Sequence, residues 1–153
     1  QAESAGKQIH LPVDHWTVPD PKRKGPRTLQ TGQIADGLCG IDIGPETARQ
    51  FAKIIREART VFWNGPMGLF DVNPLFAAGT RFIAEAIAEA RAIALAESQE
   101  YLTVVGGGES ASAVRQFGLD PEFSFVSTGG GAALRLLAGE SFESVELLDG
   151  PPD

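Results

Sequence analysis

The stretch VVGGGESASAVRQFG, residues 104–118, places three glycines after a β-branched run and follows them with an acid and a hydroxyl at what reads as a helix start. A glycine triplet there permits close backbone approach and leaves the first four helix N–H groups free, and the helix dipole adds attraction for an anion. A second triplet, in STGGGAALRLLAG (127–139), repeats the arrangement. Two such turns converging would hold a polyphosphate. The competing reading is that glycines simply make tight strand-to-helix turns, and a lone triplet would not decide between them. Neither copy is a Walker A loop, because no GK[ST] follows, and neither has the last glycine of the GxGxxG dinucleotide fingerprint.

The polar residues around these turns have two uses each. Glu109 can cap helix N–H groups, or share a magnesium ion that keeps most of its water. Ser110, Ser127 and Thr128 can donate to phosphate oxygens, although Ser and Thr also gather at helix starts for structural reasons. Trp63, just before the turn NGPMG, reads as core rather than as a base-stacking platform. His10 and His15 have no spaced partners and read as structural or exposed. The cations Lys22, Arg23, Lys24 and Arg27 of PDPKRKGPR read as a solvated cluster in a proline-rich loop.

The elements that must position these residues follow from local pattern. IHLPV (9–13) reads as a short strand. In DIGPETARQFAKIIREA (42–58), Pro45 suits the first helical position and Glu46 complements the dipole. Phe51, Ile54, Ile55 and Ala58 recur at i, i+3, i+4, i+7 and predict one buried face. TVFW (60–63) reads as a strand, followed by a helix from about Pro74 to Ala96 with Phe76, Ile83 and Ile87 on one face. YLTVV (101–105) and FSFVS (123–127) read as further strands, each leading through glycines into a helix capped by Gly118 or Gly139. Strand, glycine turn and helix thus recur, which predicts an α/β fold with a parallel sheet and helices on its faces. Such folds bind ligands outside the carboxyl ends of the strands, where NGPMGLFD, GGGES and STGGGA all fall.

Composition bounds the chemistry. The 153 residues suit one domain, and 42% hydrophobic residues with 22% charged ones are those of a folded protein. A net charge of −7 disfavours a broad footprint for nucleic acid or anionic lipid, so a bound phosphate must be held locally. Cys39 is the only cysteine, which excludes an internal disulfide or a cysteine zinc cluster and makes the cytoplasm the default expectation. The apolar stretch FIAEAIAEARAIALAES carries Glu85, Glu89 and Arg91 and is no membrane span. No signal-peptide pattern opens the chain, whose first residue is Gln1, and the sequence reads as a piece of a longer one.

VFWNGPMGLFD (61–71) resembles the VWNGPMGVFE signature of phosphoglycerate kinase. LPVD (11–14), GIDIGPET (40–47), FAAGTRFIAEAIA (76–88), TVVGGGES (103–110) and FSFVSTGGGAALRLLAGE (123–140) are similar, in the same order, to later blocks of that family, so the resemblance runs from about Gly6 to Leu148. It implies a Rossmann-like, incomplete C-terminal nucleotide-binding domain, with the N-terminal 3-phosphoglycerate-binding domain absent. The ligands it implies are ATP or ADP and Mg2+. Carried over by position, it places an adenine pocket at Gly40, Ile41, Pro66 and Leu69, a ribose contact at Asp71 and a phosphate contact at Asn64. Glu109 takes the magnesium-linked carboxylate position and Ser110 that of a phosphate-contacting hydroxyl, with Gly107 and Gly108 in the first turn. Gly129, Gly130 and Gly131 would offer N–H groups to the phosphoryl group in flight.

Two acids depart from the family pattern: GGGES stands where GGGDT is usual, and Asp71 where the ribose carboxylate is usually Glu. An added methylene moves a carboxylate by roughly 1 Å, a displacement that can cost about a hundredfold in rate. The family's basic substrate site, hinge and lysine-bearing glycine loop have no counterpart among these residues. The expectation is therefore a monomeric parent enzyme that moves phosphate between 1,3-bisphosphoglycerate and ADP in the cytoplasm, of which this chain alone is inactive. The alternative is a non-catalytic nucleotide-binding or interaction module derived from that enzyme.

Overall fold

A computed structural model of the chain describes residues 2–22 and 26–140. Arg23, Lys24 and the last stretch of the family resemblance, 141–148, lie outside the described residues. The first three strands, β1 (Asp14–Val18), β2 (Thr28–Thr31) and β3 (Cys39–Ile43), form an antiparallel sheet in the order β2-β1-β3. Helix α1 (Pro45–Glu57) follows, then β4 (Thr60–Asn64), α2 (Ala78–Ala96), β5 (Leu102–Gly106), α3 (Gly108–Phe117), β6 (Phe125–Ser127) and α4 (Gly130–Leu137). β4, β5 and β6 pair side by side in parallel.

The parallel α/β arrangement is as expected, and its packing shows why the pattern was readable. Trp63 and Val105 alternate onto one face of the parallel sheet, where they cluster with Ile83 and Ile87 of α2 and Val114 of α3. The next row of the opposite face, Phe62, Val104 and Phe125, is in register across the three strands. At its top a Cβ on Gly106 would stand 3.4 Å from Gly130 Cα, so α4 starts over this second face. Trp63 is buried, as expected for a core residue. Gly118 and Gly139 have φ of 72° and 78°, the left-handed conformation that ends α3 and α4.

Four expectations change, and one sheet is added to them. Residues 9–13 form no strand: pairing begins at Asp14, and Ile9 and Leu11 stay exposed, because an apolar run becomes a strand only where a partner meets it. The antiparallel sheet is an addition: β1 and β2 are joined by PDPKRKGPR, which has no hairpin dipeptide, and Asp36-Gly37 lies between β2 and β3, which do not pair with each other. On α1 the buried positions are Thr47, Ala48 and Ala52, whereas Ile54 is exposed and Phe51 and Ile55 only partly buried. Ala58 is the cap that follows this helix. Arg27 is not simply solvated: its guanidinium lies 3.9 Å from the Trp16 ring centroid and donates to the Leu75 carbonyl. The helix expected from Pro74 opens as a 3-10 turn, Pro74–Phe76, capped by Asn73 before α2 begins.

Candidate functional site

The three parallel strands stop at one level, with Asn64 paired to Gly106 and Gly106 to Ser127. Each following turn therefore leaves from the same sheet edge, which brings the starts of α3 and α4 together. Their contact is close. A Cβ on Gly130 would stand 2.4 Å from the Gly107 amide nitrogen and 2.6 Å from Asn64 Oδ1. A Cβ on Gly107 would also meet Asn64 Oδ1 at 2.6 Å, and Gly107 has φ 95°. No other residue type fits either position without a shift. Gly108 and Gly131, by contrast, face open space, and the Gly129 N–H donates to Ser127 Oγ at 3.1 Å.

A second set of bonds holds the turn after β4. Gly65, at φ 99°, donates its N–H to Ser110 Oγ at 2.7 Å, while its carbonyl accepts from Trp63 Nε1 at 2.8 Å. Ser110 is fully buried, so its oxygen joins the first turn of α3 to the turn after β4. Beyond this turn lies a cleft of about 490 Å³ whose lining includes Gly40, Ile41, Pro66, Leu69 and Glu109. The residues expected to form the adenine pocket thus meet in one cleft, together with the expected metal-linked carboxylate. Asp71 is exposed two residues beyond Leu69 and does not line that cleft.

Two buried acids escaped sequence reasoning. Asp42 lies on β3 in the cleft wall, and its carboxylate accepts from Gly79 N–H at 2.6 Å and from Ile43 N–H at 2.9 Å. Burial pushes its carboxyl up to about 6, against the lowering effect of those two bonds and of Arg27. An acid between two isoleucines was the available signal. Asp14 on β1 reaches the start of α1, accepting from Glu46 N–H at 3.0 Å, Thr47 N–H at 2.8 Å and Thr47 Oγ at 2.6 Å. Burial opposes its charge, but the Thr47 and Glu46 donors, with His15 beside them, hold its carboxyl below the usual range. The helix thus takes its cap from another strand, as its own Gly44 supplies no side chain.

Among the described residues no group of three or more His, Cys, Asp or Glu side chains could hold a metal, and no helix is long and apolar enough to cross a membrane. The arrangement joins a cleft of mixed apolar and polar lining, with Ile41, Pro66 and Leu69 beside His15, Asp42 and Glu109, to an edge where two glycine-led helix starts meet. Backbone N–H groups at that edge suit an anionic group.

The phosphoglycerate kinase family model matches residues 1–140. The chain is 45% identical over 149 residues to the phosphoglycerate kinase of Mycobacterium sp. (strain KMS), covering 96% of this chain and 35% of that relative. It is also similar to the solved structure of phosphoglycerate kinase from Coxiella burnetii, with a TM-score of 0.77 and 31% identity, over 91% of this chain and 34% of that one. The crystal structure of the enzyme from Pyrococcus horikoshii OT3 is similar over 92% of this chain and 32% of its own, with a TM-score of 0.72 and 31% identity. The chain therefore spans about a third of the length of the relatives it matches. With the block order, the parallel sheet and the converging glycine turns all in agreement, the chain belongs to the phosphoglycerate kinase family.

Proposed function

We propose that this chain is the nucleotide-binding part of an enzyme that reversibly moves a phosphoryl group between 1,3-bisphosphoglycerate and ADP, giving 3-phosphoglycerate and ATP in glycolysis. The observation that carries this reading is the contact of Gly107 with Gly130 beside Asn64, next to the cleft. Phosphoryl transfer asks a protein chiefly for position and charge stabilisation, and the starts of α3 and α4 offer backbone N–H groups and dipoles to that end.

In this reading Gly40, Ile41, Pro66 and Leu69 take the base, Asp71 the ribose, and Asn64, Gly107 and Gly108 the nucleotide phosphates. Gly129, Gly130 and Gly131 would serve the transferred group. Ser110 would act chiefly by holding Gly65, its oxygen being engaged there. Glu109, exposed in the first turn of α3 and lining the cleft, suits magnesium, which is commonly held by one or two carboxylates together with phosphate oxygens and waters. When bound, the ion would neutralise charge on the phosphates. The acidic substrate and the remaining cations would come from an N-terminal domain of a monomeric, cytoplasmic parent.

The test is to assay the full-length protein that contains this chain for ATP formation from 1,3-bisphosphoglycerate. Activity that needs both ADP and magnesium is expected, and none above background at saturating magnesium-ADP would overturn the reading. The 153-residue chain alone is expected to be inactive.

A further inference from the structure

Behind the cleft wall, two buried polar side chains join three pieces of backbone. Asp42 on β3 accepts from Gly79 N–H, and Thr80, the next residue of α2, accepts through Oγ from Met67 N–H at 3.0 Å and Gly68 N–H at 3.1 Å. Leu69 N–H closes the circuit by donating to the Ile41 carbonyl at 2.9 Å. The start of α2 is thereby tied to β3 on one side and to the turn Pro66–Leu69 on the other. The fit leaves no slack: a Cβ on Gly68 would stand 2.6 Å from Asp42 Oδ1, and one on Gly79 2.4 Å from the same atom. Thr80 is fully buried and Asp42 is 5% exposed.

We propose that Asp42 and Thr80 are positioning residues for the nucleoside half of the site. They set the gap between Gly40 and Ile41 on β3 and Pro66 and Leu69 on the facing turn, and so govern affinity for the base through the backbone they hold. The phosphate half depends on other contacts, those among Asn64, Gly107 and Gly130, in which neither Asp42 nor Thr80 takes part. The inference rests on the nucleotide reading above.

The experiment compares ADP with tripolyphosphate, which lacks base and ribose, by calorimetry on the full-length protein in magnesium. Thr80→Val and Asp42→Asn are expected to weaken ADP binding by about tenfold or more, the effect of losing one or two buried hydrogen bonds. Tripolyphosphate binding should change by less than about twofold on that same reasoning, and Thr80→Ser, which keeps the hydroxyl, should restore most of the ADP affinity. If Thr80→Val does not fold, Asp42→Asn, which keeps the shape of the side chain and one of its acceptor oxygens, should give the same selective loss. Equal loss of both ligands, or undiminished ADP affinity, would overturn the proposal. An unsubstituted protein that binds tripolyphosphate but not ADP would instead overturn the nucleotide reading, and the proposal with it.

Discussion

Gly130 sits against Gly107 so closely that a single added carbon on Gly130 would lie 2.4 Å from the Gly107 nitrogen. Residues 23 positions apart in sequence are thereby held as one surface by strands that end in register. Gly130→Ala is expected to force the two turns apart. If phosphoryl transfer runs there, a displacement near 1 Å should lower kcat by about a hundredfold in the full-length enzyme. Gly131→Ala meets no protein atom within 4 Å and should preserve the thermal midpoint, so any loss of activity there would report approach of the ligand itself.

The Ser110 hydroxyl is expected to matter first for the turn it holds. Ser110→Ala leaves the Gly65 N–H without its acceptor in a part-buried place, at a cost of about 1–3 kcal/mol. Denaturant unfolding would measure the loss. Trp63 bonds to the carbonyl of the same glycine, so the fluorescence of the folded state should shift as well. Unchanged stability and emission would show that this contact is dispensable.

Glu109 tests the metal assignment. Glu109→Ala should raise the magnesium concentration needed for half-maximal ADP binding by about tenfold, as expected for loss of one charge-assisted contact of about 1.5 kcal/mol. ADP affinity measured without magnesium should barely change. A loss of equal size with and without the ion would assign Glu109 to the helix end instead.

The two buried acids predict opposite slopes of stability with pH. Asp42, raised from 3.8 to about 6, binds its proton more tightly in the folded state. Its favourable contribution is fully present below 3.8 and is lost as pH rises through about 6. The span corresponds to on the order of 3 kcal/mol at about 1.4 kcal/mol per pH unit. Asp14 is lowered, so its contribution is present above 3.8 and is lost as pH falls through its folded value. Urea unfolding at about pH 4.5, within the Asp42 range, and at about pH 7.5, above it, should therefore show that Asp42→Asn gains on the unsubstituted protein at the higher pH. A difference independent of pH would contradict the buried, titrating carboxyl.

The sequence by itself determined the repeated strand, turn and helix units, the left-handed glycines that end α3 and α4, the burial of Trp63, and the block order of the family. Apart from the block order, these are properties of near neighbours: β-branched runs, glycine punctuation and helical spacing act within one or two turns of chain. Only the tertiary structure decided that β1 pairs with β2 and β3 rather than beginning at Ile9, because pairing needs a partner that local pattern does not name. It likewise decided that Ser110 turns its oxygen to Gly65, that Asp14 caps a helix from another strand, and that Asp42 anchors Gly79. Each of these bonds spans more than 30 residues of chain. The residue type supplies the donor or acceptor, and the folded neighbour determines which group it meets.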